Sequence, residues 1–339
     1  MVRFILSKVT VLHLLGAMAL AAGLKVGLLI LDVVPFNSDE AIVGLMARHI
    51  LQGQRPVFFY GQAYMGSLDA WLVAGAFRLV GERVVAIRMV QIFLYLLYLL
   101  TLWILVRRIA QDPRAPSLAV WLAAIPPVMV TTYTTISLGG YGEILVLGNL
   151  IFILGYEVIY GRWTGVWSAW LLLGLAGGLA FWTLGMAGVY LLPVALAGLW
   201  ELRLRPIWRY MLSSLGFLVG SSPWWLANLV QGGASLEVLV KSSLPPSTLI
   251  TNLTVFFLFG IPSVLGWRAP WSPAYPPLPL LFANLALTLS MVWYVARNLR
   301  SRQFPVERGG ITLLGLLILA FTGLIIFSNY GIDITGRYY

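Results

Sequence analysis

The sequence contains no cysteine and only two histidines among its 339 residues. The missing cysteines exclude disulfide bonds, thiolate metal sites and cysteine nucleophiles. With only His13 and His49 available, a histidine-based catalytic triad or a histidine-rich metal cluster is disfavoured as well. Charged residues are also scarce, at 10% of the chain, where an ordinary soluble domain has about 25%.

Long apolar segments fill the chain instead, and 60% of its residues are hydrophobic. A helix needs about 20 apolar residues to cross the hydrocarbon of a bilayer. The segments that come close to this length or exceed it are residues 9–33, 84–106, 118–135, 144–160, 163–183, 185–200, 210–230, 278–295 and 311–328. Residues 249–267 are a further candidate, but Gly260 and Pro262 interrupt them, so we interpret this segment as re-entrant. The sequence therefore predicts an all-α polytopic membrane protein with about 9–10 transmembrane helices.

The basic residues predict the orientation of these helices. The net charge is +10, and the arginines cluster between apolar segments, which favours membrane topology and anionic lipid over nucleic acid. The positive-inside rule then places the N-terminus in the cytoplasm and residues 34–83 and 231–277 in outer loops. We find no internal repeat or soluble domain, so residues 1–339 are predicted to be a single domain. The first span is predicted to be retained as an anchor, and the stop soon after the last span suggests C-terminal truncation.

An acidic pair, Asp39-Glu40, follows the first span in the stretch FNSDEAIVGLMARHIL. Two carboxylates next to lipid cost free energy unless they reach water or form part of a functional site. Ordinary helix capping is one interpretation, because Ser38 or Asp39 can cap a predicted interfacial helix over residues 41–51. Catalysis is the other, and the two are compatible because a capping carboxylate is held rigidly. A second interfacial helix is predicted over about residues 67–80.

Glu143 is a second informative acid, at the start of the fourth span in SLGGYGEILVLG. The neighbouring glycines Gly139, Gly140 and Gly142 permit close approach of another backbone or of a substrate. Glu143 is either an interfacial side chain that reaches water or a residue that faces the same cavity as Asp39.

These blocks resemble a known family. The acidic pair, the loop ARHILQGQRPVFFYGQAYMGSLDAWL, the blocks SLGGYGEILVLG and GLAFWTLGM and the terminal GRYY are similar to membrane glycosyltransferases of the GT-C fold. The resemblance is to the bacterial branch that is like protein O-mannosyltransferases (glycosyltransferase family 39-like) and to the RgtA/B/C/D-type family. The chain departs from that pattern at Leu184, where a histidine is expected, and in lacking the helices expected after GRYY.

The resemblance implies an enzyme that moves a sugar, with inversion, from a polyprenyl-phosphate donor to a glycan, lipid or protein acceptor. It implies a multi-pass location in a bacterial-type plasma membrane, with the site on the outer face and membrane lipids as neighbours. Asp39 would be the base, and Glu40 would orient the acceptor or, together with Asp39, hold a divalent cation. The residues implied in substrate binding are Glu143, Tyr141, Arg337, Tyr338 and Lys241. A non-enzymatic transporter or flippase of lipid-linked sugars is the alternative, and the absence of a repeat disfavours it.

Overall fold

The computed structural model describes residues 8–203, 207–230, 232–233, 235, 249–256, 260–266, 268 and 306–327, with single residues scattered over 278–297. The long helices are α1 (Lys8–Ile30), α4 (Val84–Ile109), α7 (Tyr141–Ile159), α8 (Trp167–Thr183), α9 (Gly188–Leu202), α10 (Ile207–Gly220) and α14 (Arg308–Ile326). The shorter helices are α2 (Ser38–Leu51), α3 (Leu68–Val80), α5 (Ala115–Ala124), α6 (Val128–Tyr133), α11 (Ser222–Val230), α12 (Leu249–Val255) and α13 (Ile261–Val264). Two strands, β1 (Phe58–Phe59) and β2 (Gln62–Gly66), complete the described elements, with a 3₁₀ turn at Gly185–Ala187.

Within the described part of the chain, five helices are long and apolar enough to cross a membrane. They are α1, α4, α7, the continuous segment Gly185–Leu202 that contains α9, and α14. Helix α8 is also apolar but shorter, at 17 residues. The predicted all-α polytopic membrane fold is therefore confirmed. Most of the predicted span 278–295 lies outside the described residues.

Two of the predicted spans are broken in the structure. Residues 118–135 form α5 and α6, which Pro126 and Pro127 separate. Proline lacks the donor that the helix ladder needs and forces the residue before it out of helical geometry. Residues 210–230 divide in the same way into α10 and α11, with a turn at Ser221 just before Pro223. The prediction of unbroken helices over residues 118–135 and 210–230 was wrong, because it relied on the apolar character of these segments and gave too little weight to their prolines.

The first outer loop folds as helix, hairpin and helix. Helices α2 and α3 are where the sequence predicts them, but the hairpin of β1 and β2 was not predicted. Its turn contains Gly61 at a φ of +79°, a conformation that favours glycine. The hairpin is tied to the end of α8, since Trp182 Nε1 donates to the Val57 carbonyl at 3.0 Å. The loop is therefore part of the folded body of the protein.

Helices α4, α7 and α8 form the centre of the bundle, and glycines let α10 pack closely on α8. A Cβ added at Gly174 or Gly178 would overlap the backbone of α10, and one added at Gly216 or Gly220 would overlap that of α8. Small residues at such positions allow two membrane helices to approach each other closely.

The bundle has two chemically different ends. The acidic end comprises α2, α3, the N-termini of α4 and α7 and the C-terminus of α8. The basic end comprises the C-termini of α4, α7 and α9 and the N-termini of α8, α10 and α14. There Arg108 pairs with Glu157, and the Glu307 amide donates to the Ile109 carbonyl at 2.7 Å. The positive-inside rule predicts that the basic end faces the cytoplasm.

Candidate active site

Asp39 and Glu40 lie in the first turn of α2, at the acidic end. The residue that caps this helix is Asn37, whose side-chain oxygen accepts a hydrogen bond from the Glu40 amide at 3.0 Å. The prediction that Ser38 or Asp39 is the cap was therefore wrong by one or two residues. Asn37 is an equally good capping residue, and its presence leaves the Asp39 side chain with no capping role.

Glu40 is fully buried and forms an ion pair with Arg88 of α4. The Arg88 guanidinium donates to Glu40 through Nε at 3.0 Å and through Nη2 at 2.9 Å, one bond to each carboxylate oxygen. Arg88 Nη2 also donates to the Val34 carbonyl at 3.1 Å. A two-point arginine–carboxylate contact fixes both distance and orientation. This pair therefore holds the start of α2 against the first turns of α4.

Asp39, the neighbouring residue, is only partly buried. Among the residues that the structure describes, none forms a hydrogen bond or an ion pair with its carboxylate. As far as the described residues are concerned, both of its oxygens can accept a proton or a hydrogen bond. Within that part of the chain, the acidic pair contains one carboxylate held by an ion pair and one that forms none.

Asp69 is the residue of this site that the sequence argument did not single out. It lies in the first turn of α3 and is only 2% exposed. Its carboxylate accepts hydrogen bonds from Gln91 Nε2 at 2.9 Å and from the Ser137 hydroxyl. A signal was present in the sequence, because Asp69 precedes Val73 and Phe77 at helical spacing and so lies on the buried face of α3.

Burial changes the acidity of Asp69. It raises the pKa of this carboxyl to about 6, although the hydrogen bonds from Ser137 and Gln91 act in the opposite direction. An acid with a pKa in this range exchanges its proton close to neutral pH. Perturbed acids of this kind are concentrated at functional sites.

Glu143, in the first turn of α7, is beside Asp69 and also only 2% exposed. Because Glu143 is buried, the interpretation of it as an interfacial side chain that reaches water is wrong. Among the described residues, no amide or hydroxyl group donates to its carboxyl oxygens, and the group within hydrogen-bond reach is the carboxyl of Asp69. Two buried carboxyl groups side by side, without a cation between them among the described residues, call for a functional explanation.

The glycines before Glu143 allow the protein itself to approach closely. Gly139 has a φ of +74°, and a Cβ there would collide with the Met65 side chain of β2. A Cβ at Gly142 would lie 2.9 Å from Gln91 Oε1. These contacts bring β2, α4 and α7 together around the buried acids.

An apolar cavity of about 190 Å³ adjoins this cluster between α6, α7, α9 and α14. Tyr141 lines it, two residues before Glu143, and its ring meets Tyr133 edge to face at a centroid distance of 4.7 Å. Leu184, which takes the place of the histidine expected from the family pattern, is buried and lines the same cavity. The apolar cavity therefore lies next to the buried acids Asp69 and Glu143.

The other three residues that were predicted to bind substrate are not among those that the structure describes. Lys241, Arg337 and Tyr338 lie outside the described residues. Among the residues that are described, no group of three or more histidine or acidic side chains is arranged to hold a metal ion.

Comparison with known families supports the resemblance found in the sequence. Residues 67–226 match the family described as dolichyl-phosphate-mannose-protein mannosyltransferase, which has the GT-C fold. The match begins just before Asp69 and includes Glu143, but it does not extend to Asp39 and Glu40. Comparisons with curated proteins and with solved structures gave no match. Over residues 67–226, less than half of the chain, the protein is thus similar to membrane glycosyltransferases of the GT-C type, and the apolar helices agree with a multi-pass membrane protein.

Proposed function

We propose that the protein transfers a sugar from a polyprenyl-phosphate-linked donor to an acceptor hydroxyl at the outer face of the plasma membrane. Transfer inverts the anomeric centre, and Asp39 accepts the proton of the attacking hydroxyl. The acceptor is a glycan, a lipid or a protein. The family match supports a lipid-linked donor, since the family's description names dolichyl-phosphate mannose.

One observation carries the assignment of Asp39. Its carboxylate has no partner among the described residues, whereas the adjacent Glu40 is locked by Arg88. A general base must have a free lone pair and must be held within hydrogen-bond reach of its proton. The Glu40–Arg88 pair supplies that rigidity, and no group in the described part of the chain competes for the oxygens of Asp39. Glu40 is therefore a positioning residue in this proposal.

Glu143 is proposed to bind the substrate. Its two oxygens are buried acceptors without donors among the described residues, and the hydroxyl groups of a sugar would supply those donors. Asp69 already accepts hydrogen bonds from Ser137 and Gln91, so it shapes the floor of the site beside Glu143.

The apolar cavity next to Tyr141 is proposed to receive the first isoprene units of the donor. Its lining includes Tyr141 and Ile144, which lie on either side of Glu143 in the first turn of α7, so a prenyl chain in it would place its phosphate near the acidic end. Lys241, Arg337 and Tyr338 stay proposed ligands of that phosphate, because cationic donors stabilise a leaving group that gains negative charge.

A divalent cation at Asp39 and Glu40 does not fit the geometry. Both Glu40 oxygens already accept hydrogen bonds from Arg88, so Asp39 alone would remain as a ligand. Hard divalent cations in proteins require several oxygen ligands. The mechanism proposed here therefore uses Asp39 as a base only.

Sugar transfer in membranes that contain the protein tests this function. Membranes with wild type, Asp39→Asn or Asp32→Asn are supplied with radiolabelled polyprenyl-phosphate sugars, and label that leaves the lipid is measured. We expect Asp39→Asn to lower the transfer rate by about 10²–10⁴, the usual contribution of a general base. Asp32→Asn is the matched control, because Asp32 is an exposed acid at a φ of +50°, which asparagine tolerates.

Two results would contradict the proposal. Transfer by Asp39→Asn at the wild-type rate would remove Asp39 as the base. Label that crosses the bilayer but stays on the lipid, in wild type and variant alike, would favour the flippase.

A further inference from the structure

A second cavity lies at the basic end, between α8, α9 and α10 and the last turn of α7. Its volume is about 450 Å³, and its lining includes Trp170, Leu173, Gly177, Val194, Gly198 and Phe217. The glycines contribute no side chain, which leaves the space open. This cavity is separate from the one beside Tyr141, with which it shares no lining residue.

The shape of this cavity suits a hydrocarbon chain. It extends from Trp170 and Tyr210, in the first turns of α8 and α10, to Gly177 and Phe217, seven residues further along each helix. Seven helical residues span about 10 Å, which is most of the depth of one leaflet's hydrocarbon. The Tyr210 hydroxyl shares its one proton between the carbonyls of Gly198 at 2.9 Å and Arg203 at 2.8 Å, so it has no donor left for a polar ligand.

The cavity also opens toward the surrounding bilayer. Leu218 lines it and is 52% exposed. Nearby leucines of α9 and α10, Leu192, Leu196 and Leu215, are exposed as well. Exposed apolar side chains on membrane helices face lipid, so a lipid tail reaches the cavity without crossing water.

Two arginines lie next to Tyr210, which lines the cavity: Arg209 precedes it in α10, and the Arg203 carbonyl accepts its hydroxyl proton. Arg209 precedes Tyr210, its guanidinium lies 5.2 Å from the Trp208 ring centroid, and its buried Nε has no hydrogen-bond partner among the described residues. Arg203, on the turn between α9 and α10, is exposed. Glu201, the nearest acid in sequence, is directed toward Tyr160 instead. A guanidinium with an unused donor is well suited to a phosphate.

We propose that this cavity binds an anionic phospholipid from the leaflet at the basic end. One acyl chain occupies the space between α8, α9 and α10, and Arg209, with Arg203 beside it, holds the phosphate. Basic pockets between membrane helices recognise anionic head groups in this manner. The proposal does not depend on the sugar-transfer activity, since the two sites are at opposite ends of the bundle.

Native mass spectrometry of the purified protein tests the proposal. The protein is titrated with phosphatidylglycerol or with phosphatidylcholine of the same acyl chains, and the fraction that retains lipid is measured. We expect wild type to retain phosphatidylglycerol about fivefold better than phosphatidylcholine. Arg209→Gln should lower the fraction that retains phosphatidylglycerol to the fraction that retains phosphatidylcholine. Arg209→Lys should restore part of the preference for phosphatidylglycerol. Arg114→Gln, which removes an exposed arginine elsewhere at the basic end, should behave as wild type.

Filling the cavity tests the acyl chain separately. A Cβ at Gly198 would make ordinary contacts with Ile159 and Tyr210, both at 3.7 Å, so Gly198→Leu places its remaining atoms in the cavity. We expect Gly198→Leu to lose both lipids, and Ala195→Leu serves as a second filled variant if the first does not fold. Equal retention of the two lipids by wild type, or retention of phosphatidylglycerol by the folded filled variants, would overturn the proposal.

Discussion

Helix α7 carries a buried glutamate at each end, and the two side chains have different kinds of neighbours. Glu157, at the basic end, is 3% exposed, pairs with Arg108 and accepts a hydrogen bond from the Arg162 amide at 3.2 Å. Glu143, at the acidic end, is 2% exposed, and among the described residues its neighbour is a second acid, Asp69, and not a cation. One helix thus contains a carboxylate paired with a cation and a carboxyl group set beside another acid.

This difference distinguishes structural acids from functional ones. Burying an unpaired carboxylate costs several kcal/mol, whereas a paired one recovers much of that cost. The described residues supply a cationic partner to Glu157 and to Glu40 but none to Glu143, which favours ligand binding at the acidic end. Asp39 fits the same contrast, since it is open beside a locked neighbour.

Severing the Glu40–Arg88 pair should have the largest effect on stability. Glu40→Gln leaves Arg88 buried without a counter-charge, and we expect the free energy of unfolding to fall by about 3–5 kcal/mol. Thermal unfolding in detergent, followed by tryptophan fluorescence, measures this loss of stability. Arg48→Gln in the same helix is the control: its pair with Glu82 is 54% and 40% exposed, so its loss should cost below about 1 kcal/mol. Equal effects of the two substitutions would contradict this interpretation of Glu40.

Asp69 should make stability depend on pH. Because burial raises the pKa of Asp69 to about 6 from 3.8, the folded protein binds more protons than the unfolded chain between those values. Stability should therefore fall as the pH rises from about 4 to about 6, by about 3 kcal/mol in all. Asp69→Asn should remove that part of the slope. Identical pH profiles of unfolding for wild type and Asp69→Asn would show that Asp69 is not perturbed.

Glu157→Gln should have a smaller effect. Arg108 is 43% exposed, so water partly replaces the lost partner, and we expect a loss of about 1–3 kcal/mol. The measurement is again thermal unfolding, and Glu201→Gln, an exposed acid at the same end, should change stability by less than about 0.5 kcal/mol. A loss no greater than that of the control would mean that the ion pair contributes little.

The sequence predicted the class of fold and much of the acidic end, and its failures have physical causes. Composition and segment length sufficed for the class of fold and for the unbroken helices but not for the two spans that are broken near prolines, and the acidic pair after the first span indicated Asp39 and Glu40. Arg88 and Asp69 were missed as members of the site because their importance depends on contacts between α2, α3 and α4. Such pairings between distant residues leave no periodic signal in one sequence. The hairpin was missed because its strands are short and their register is irregular.

The contrast between the two glutamates of α7 gives the most direct test. Glu143→Gln and Glu157→Gln are prepared in the same membranes, and the sugar-transfer rate per folded molecule is measured for each beside wild type. We predict that Glu143→Gln loses at least about tenfold in transfer, because glutamine offers the sugar hydroxyls one acceptor oxygen in place of two, while its unfolding temperature is unchanged or higher. Glu157→Gln should unfold at a lower temperature and transfer sugar normally per folded molecule. Wild-type transfer by Glu143→Gln would contradict a functional role for the Glu143 carboxyl group at the acidic end.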